Sequence, residues 1–243
     1  MSRTKIEWTE KTWNPTTGCS KISPGCANCY AETLSNRLKA MGVEKYKNGF
    51  ELTVHPEEIE KPSRWKKPSM IFVNSMSDLF HEDIPFRVIK KVFEVMNKCN
   101  WHVFQVLTKR EGRLLELNER LNWSPNIWMG VSVEDESHKC RIDFLRKTDS
   151  YVKFISFEPL LGPIQNLNLH NINWVIVGGE SGPKARHIKK SWVIDILEQC
   201  RKLNVKFFFK QWGGVNKKKN GREINGKIFN EFPPYNRGQI DLF

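Results

Sequence analysis

The sequence predicts an α/β protein: a TIM-barrel-like parallel β/α barrel, full or partial, with a C-terminal extension. Three observations lead there. Short apolar runs alternate with helical or polar connections. The runs recur about every 20–30 residues, the repeat expected of β/α units in a barrel. Charged and polar residues collect just past the C-terminal ends of the runs, where a parallel barrel builds its active site. The barrel is expected over residues 1–213 and a hairpin-bearing extension over 214–243.

The elements follow in order. A weak first run spans Thr12 to Thr17. A helix is expected from Ala27 to Met41, with Tyr30, Leu34, Leu38 and Met41 at helical spacing. A second weak run, Glu51 to His55, precedes six clear ones. These are Met70 to Asn74, Val103 to Leu107, Ile127 to Val131, Val152 to Ser156, Trp174 to Gly178 and Val205 to Phe209. All six are apolar through much of their length, as strands covered on both faces are. Helices are expected from Pro85 to Lys98, Glu111 to Leu121, Ser137 to Arg146 and Ser191 to Leu203. Pro85 suits a helix start, and Ser191 suits an N-cap. That makes as many as eight strands. After Gly214 the pattern changes, and Asn225-Gly226 reads as a hairpin turn.

Composition narrows the function. The 243 residues are 39% hydrophobic, enough for a sizeable core. No stretch reaches the ~18–20 apolar residues of a membrane span. Met1 to Glu7 has no apolar run behind its basic residues, so no signal peptide is expected and the protein reads as soluble and cytoplasmic. Lys and Arg number 39 against 27 Asp and Glu, a net +12 that favours polyanions. The expected partner is therefore nucleic acid or a nucleotide. Six cysteines in such a chain do not read as a disulfide framework. Cys99, Cys140 and Cys200 are scattered and are expected to be small buried hydrophobes.

The polar strand ends are Cys19, Asn74-Ser75-Met76-Ser77-Asp78, Thr108-Lys109-Arg110, Ser132-Val133-Glu134, Ser156-Phe157-Glu158, Gly178-Gly179-Glu180 and Lys210-Gln211-Trp212. Turn chemistry accounts for glycines. It does not account for Ser-x-Glu at two equivalent strand ends, nor for carboxylates at Glu134, Glu158 and Glu180. At least two of these three are expected to face a shared pocket.

Cys19, Cys26 and Cys29 form a C-x6-C-x2-C cluster. Pro24-Gly25 turns the chain so that Cys19 can rejoin the other two, which lie at a loop-to-helix junction whose N–H groups favour thiolates. Three thiolates with no close fourth ligand suit an open, reactive centre better than structural zinc, which wants four. Soft thiolates favour iron–sulfur, zinc or copper(I). An iron–sulfur centre is the expectation.

Three cysteines between the first strand and a helix resemble the cluster loop of the radical S-adenosylmethionine (SAM) enzymes, in which they hold a [4Fe–4S] cluster whose open iron binds SAM. The usual spacing there is C-x3-C-x2-C with an aromatic residue before the third Cys. Here the first gap is six residues, Asn28 precedes Cys29, and Tyr30 follows it. A second resemblance runs over nearly the whole chain. Trp13-Asn14-Pro15-Thr16-Thr17-Gly18-Cys19, Cys26-Ala27-Asn28-Cys29-Tyr30-Ala31, Phe72 to Phe80, Leu107 to Arg110, Gly178 to Gly182 and Phe209 to Gly213 are similar to a phage-encoded family. It is known mainly as a domain of unknown function, and its genomic neighbour is the three-Cys-motif partner protein. It is regarded as similar to radical SAM proteins and, more distantly, to spore photoproduct lyases, which repair a thymine dimer in DNA.

The resemblance implies Cys19, Cys26 and Cys29 as cluster ligands. It implies a SAM site built from Asn74, Ser75, Met76, Asp78, Ser132, Glu134, Glu158, Gly178, Gly179 and Glu180. It also implies an electron donor and a possible three-Cys-motif partner protein. The reaction would be reductive cleavage of SAM and modification or repair of a nucleobase. Lys109, Arg110, Lys184, Arg186 and Lys210 would then hold a phosphate-bearing substrate, and His187 or Trp212 would stack on a base. The rival reading is a non-enzymatic nucleic-acid binder with a zinc-stabilised cysteine loop.

Overall fold

Strand β1 (Lys11–Trp13) opens the chain in the computed structural model, which describes Thr4 and residues 6–235. The short β2 (Thr16–Thr17), helix α1 (Tyr30–Ala40), β3 (Thr53–Val54) and the one-turn α2 (Pro56–Ile59) follow. Then come β4 (Met70–Val73), α3 (Phe86–Lys98), β5 (Val103–Thr108), α4 (Glu111–Leu117), β6 (Ile127–Ser132), α5 (Arg141–Arg146), β7 (Val152–Phe157) and β8 (Trp174–Gly178). Helix α6 (Lys190–Lys202), β9 (Lys206–Gln211), α7 (Lys217–Asn220), β10 (Glu223–Ile224) and β11 (Lys227–Ile228) complete the order.

Seven strands form one curled, all-parallel sheet in the order β1-β4-β5-β6-β7-β8-β9. Its two edges do not pair with each other, so the barrel is partial. The count is seven because the run at Glu51 to His55 yields β3, which pairs antiparallel with β2 outside the sheet. That small ladder stands behind the cysteine loop.

Side chains alternate across the sheet as the two-residue period of a strand requires. Ile71, Val73, Val106, Met129, Ile155 and Val177 point outward into the large core shared with α3 and α6. Met70, Phe72, Trp128, Phe154, Trp174 and Phe208 point inward. A partial barrel leaves such a concave face open to water, and here both ends of the described chain cover it. Trp8, ahead of β1, lies 4.6 Å from Phe72 and 6.3 Å from Trp174, centroid to centroid. Phe232 lies 5.0 Å from Trp174 from the other side. At Gly130 a Cβ would stand 2.5 Å from the Phe154 ring, so glycine lets this aromatic layer close.

Several local expectations change. Helix α1 buries only Ala31 and Ser35, while Tyr30, Leu34 and Met41 are exposed. The helix rides on its two small residues instead of its apolar stripe. Lys189, not Ser191, is the N-cap of α6, and Ser191 lies in its first turn. Cys99 and Cys200 are buried, as small hydrophobes would be, but Cys140 is exposed. In the C-terminal segment, β10 and β11 pair antiparallel around Asn225 and Gly226, both at positive φ. The chain then runs back along β9, with Phe209 N–H donating to the Phe229 carbonyl and Glu231 N–H to that of Phe207. Residues 236–243 of the expected extension lie outside the described residues.

Trp174 is fully buried and touches Trp8, Trp128, Phe154, Phe208 and Phe232. Trp174→Ala should cost about 3–5 kcal/mol of unfolding free energy by chemical denaturation.

Candidate functional site

The C-terminal rim of the sheet carries the site, and the cysteine loop lies across it. Three groups of strand-end residues grip successive stretches of that loop.

The first grip holds Cys19. Gly18 precedes it at φ +82°, and a Cβ there would stand 2.2 Å from the Glu51 carbonyl oxygen. Only glycine fits. Gly18 N–H donates to the Met76 carbonyl (2.9 Å), and Ser77 Oγ donates to the Gly18 carbonyl (2.7 Å). Behind them, the buried Asp78 carboxylate accepts from Thr108 Oγ1 (2.7 Å), Lys109 N–H (3.0 Å) and Arg110 (3.1 Å). Arg110 also donates to Glu82 (2.8 Å), Ser20 Oγ (2.9 Å) and Cys19 Sγ (3.5 Å). Its guanidinium is thus buried and occupied. Sequence reasoning put Arg110 on a substrate phosphate; instead it pins the Cys19 turn. Burial and the Asp78 charge push the Cys19 thiol up to about 11, against the pull of Arg110.

The second grip holds the middle of the loop. Glu134 is fully buried. It accepts a short hydrogen bond from Ser23 Oγ and a 2.7 Å charge-assisted bond from Arg141, with Lys109 Nζ 3.6 Å away. A Cβ on Gly25 would come within 2.4 Å of the Glu134 side chain, so the loop backbone lies directly on this carboxylate. Burial raises the Cys26 thiol, but the Ile22 backbone, Ser23 and the Lys109 charge outweigh it and bring the thiol below its ordinary value.

The third grip holds the Cys26–Cys29 end. Glu180 accepts from Asn28 Nδ2 (3.0 Å), Arg186 N–H (2.9 Å) and the Arg186 guanidinium (2.6 and 3.0 Å). Arg186 in turn donates to the Pro24 carbonyl (2.9 Å), and Asn28 to that of Lys184 (2.9 Å). Arg186, also expected on a phosphate, is committed to Glu180 and the loop. Burial disfavours the Glu180 carboxylate, yet the bonds from Arg186 and Asn28 hold it below its ordinary range.

The third strand-end carboxylate does something different. Glu158 sits on the concave side, where it accepts from Ser156 Oγ (3.1 Å) and Trp8 Nε1 (3.3 Å) and pairs with Lys210 Nζ (3.1 Å). A Cβ on Gly178 would stand 2.6 Å from Glu158 Oε1, so that glycine makes room for the pair. Gly179 packs against the Trp212 carbonyl. Trp212 itself packs on Phe209 (4.6 Å) and donates to the Glu223 carbonyl (2.9 Å), which makes it a core residue and not a free platform. Asn74 and Ser132 are buried, with Asn74 bonded to Thr16. Ser75 bonds Asn14. The expected residues thus share one rim, on which Glu134 and Glu180 both face the cysteine loop while Glu158 faces Trp8 and Lys210.

Several contributors escaped the sequence reading: Asn14, Ser20, Ser23, Asn28, Arg141 and His81. His81 Nε2 lies 2.9 Å from Ser20 Oγ, next to Cys19. The signal for Ser23 and Asn28 was their place between cysteines. Arg141 had none.

Cys19, Cys26 and Cys29 are free and partly buried. Among the described residues, no group of three or more His, Cys, Asp or Glu lies close enough to hold a metal ion. The donor chemistry nonetheless suits a thiolate-bound centre, with soft cysteine sulfurs near Arg110 and Lys109.

Glu180's contribution to stability is complete above the ordinary carboxylate range, near ~4.3, and is lost as pH falls through its lowered value. Glu180→Gln should mimic that loss at pH 7. Hydrogen exchange should speed up about tenfold or more for loop amides between Pro24 and Cys29, as charge-assisted bonds worth ~1.5–3 kcal/mol weaken. The sheet amides should be unchanged.

No curated protein matches the chain. Two solved structures of spore photoproduct lyase are similar to it. One, complexed with dinucleoside spore photoproduct, shares 14% identity over 77% of this chain and 59% of the lyase, at a TM-score of 0.44. The other, a double mutant with bound AdoMet and dinucleoside spore photoproduct, shares 14% identity over 79% of this chain and 61% of the lyase, at a TM-score of 0.46. The chain thus spans about three fifths of those lyase chains. A family model described as a protein of unknown function (DUF5131) matches residues 3–233, and the chain belongs to that family.

Proposed function

We propose that the protein is a radical SAM-type enzyme that modifies or repairs a base in nucleic acid. The observation that carries this reading is the gripped cysteine loop. Three free thiols sit on the loop that follows β1 of an open parallel sheet, and buried strand-end charges fix that loop at both ends. A protein that needed the loop only as a surface turn has no use for such anchoring.

In this reading Cys19, Cys26 and Cys29 hold a [4Fe–4S] cluster, which together with SAM supplies reductive cleavage of the sulfonium and a 5′-deoxyadenosyl radical. The chain's own residues do the rest. Arg110 donates toward the Cys19 sulfur, and Ser23 Oγ, its proton given to Glu134, lies 3.6 Å from the Cys26 sulfur. Hydrogen bonds like that of Arg110 offset thiolate charge and orient the ligands. Asn74 Oδ1 and Gln105 Oε1 are buried without a hydrogen-bond partner in the protein. Unsatisfied buried acceptors call for an explanation, and an ammonium or amino group on a bound cofactor supplies one. The aromatic layer around Trp174 keeps water out of the concave face from below.

One observation favours the zinc-stabilised nucleic-acid binder. His81 reaches the residue beside Cys19 and offers a fourth ligand type near the thiols.

Anaerobic purification and reconstitution with iron and sulfide separate the two readings. The radical reading expects about four irons per chain. It also expects an electron paramagnetic resonance signal altered by SAM, and 5′-deoxyadenosine release that Cys19→Ala abolishes. One tightly held zinc, no cluster and intact SAM would sink it.

A further inference from the structure

We infer that the loop from Ser181 to Lys190, with Lys219 on the neighbouring one-turn helix α7, is a docking face for the phosphate backbone of a nucleic-acid strand. The inference rests on the proposed function only for why a strand would be held beside the thiols.

The first observation is charge without counter-charge. Residues 181–190 and 213–222 contain no Asp or Glu. Lys184, Lys189, Lys190 and Lys219 are exposed there, and none of them forms an ion pair among the described residues. Many surface cations elsewhere have carboxylate partners, as in Lys21–Glu32, Lys47–Glu44, Lys91–Glu94, Lys139–Glu136 and Arg146–Asp143, while Arg64, Lys66 and Lys67 form a second cluster without ion pairs that no hydrogen bond ties to the cysteine loop among the described residues. Like charges without counter-charge on one face repel each other, a cost that a polyanion lowers.

The second observation is that the two segments are built into one surface. Ser181 and Gly214 form a parallel bridge, Gly214 N–H donates to the Glu180 carbonyl (2.7 Å) and Asn220 Nδ2 to that of Gly213 (2.8 Å). The third is location. Asn28 bonds the Lys184 carbonyl and Arg186 bonds Pro24, so the basic loop is tied to the cysteine loop. Arg186 is spent on this tie and on Glu180, which leaves the lysines as the outward cations. They are separate exposed point charges on two joined segments, which suits a chain of phosphates better than a single bound phosphate.

The test uses the full chain without reconstituted cluster. Anisotropy of a fluorescein-labelled single strand of roughly 20 nucleotides, long enough for several phosphate contacts, is followed across a salt series. The triple variant Lys184→Glu, Lys189→Glu, Lys190→Glu should bind about tenfold or more weaker, with a salt slope lower by about 2 for three lost contacts at ~0.7 each. A matched variant, Arg64→Glu, Lys66→Glu, Lys67→Glu, changes net charge equally at exposed sites ahead of β4 and should bind nearly as the unaltered protein does. Equal weakening by both variants, or no binding by the unaltered protein, overturns the docking face. Patch-dependent binding in a protein that never takes up iron would keep the face and retire the radical reading. Iron uptake and SAM cleavage without strand binding would do the reverse.

Discussion

Three carboxylates buried at strand ends set the terms for the whole rim. Asp78, Glu134 and Glu180 are all under a tenth exposed, and each would be costly there alone. Each is compensated by an arginine: Arg110, Arg141 and Arg186. What remains of their hydrogen-bonding capacity is turned toward the cysteine loop. Glu134 takes Ser23 and Glu180 takes Asn28, while Arg110, held by Asp78, reaches Cys19 and Ser20. Buried pairs of this kind rarely add much net stability, because desolvation offsets attraction. Their effect is to make one loop conformation far better satisfied than its alternatives.

The same logic links the rim to the inner core. Trp8 packs between Phe72 and Trp174 and also donates to Glu158. Glu158 holds Lys210, the nearest cation to it on β9. An open sheet has no closing strand to stiffen it, and the indole of Trp8 supplies a contact that runs from the apolar layer to the polar one. The position of the Glu158–Lys210 pair therefore depends on how the segment ahead of β1 packs.

Much of the fold was legible because parallel strands covered on both faces leave continuous apolar runs, as in Ile127 to Val131 and Trp174 to Val177. The Glu51–His55 run misled the count because two residues of alternating polarity pair as well outside a sheet as within it. Helix α1 misled differently. Spacing reports which residues share a face, not which face is packed, and here the small residues Ala31 and Ser35 permit the close approach. At the site, the cysteines and carboxylates were legible as chemical types. Their connections were not: Ser23 to Glu134 spans 111 positions and Asn28 to Glu180 spans 152. No local pattern encodes pairing at that range.

The charge of +12 illustrates what a sum conceals. The cations built into the rim, Arg110, Arg141, Arg186, Lys109 and Lys210, each have a carboxylate partner. They build the site and contribute little outward field. Excess positive charge is instead displaced to lysines such as Lys184, Lys189 and Lys190, which pair with no carboxylate among the described residues. A rim organised this way separates two tasks that a basic sequence runs together. Internal cations fix the geometry of the cysteine loop in a poorly solvated setting, where each must be matched by an anion. Outer cations stay unmatched and solvated, where long-range attraction costs little and acts on any polyanion that approaches. The two sets meet at the Lys184–Arg186 stretch, whose backbone and guanidinium are tied inward while its lysine stays free.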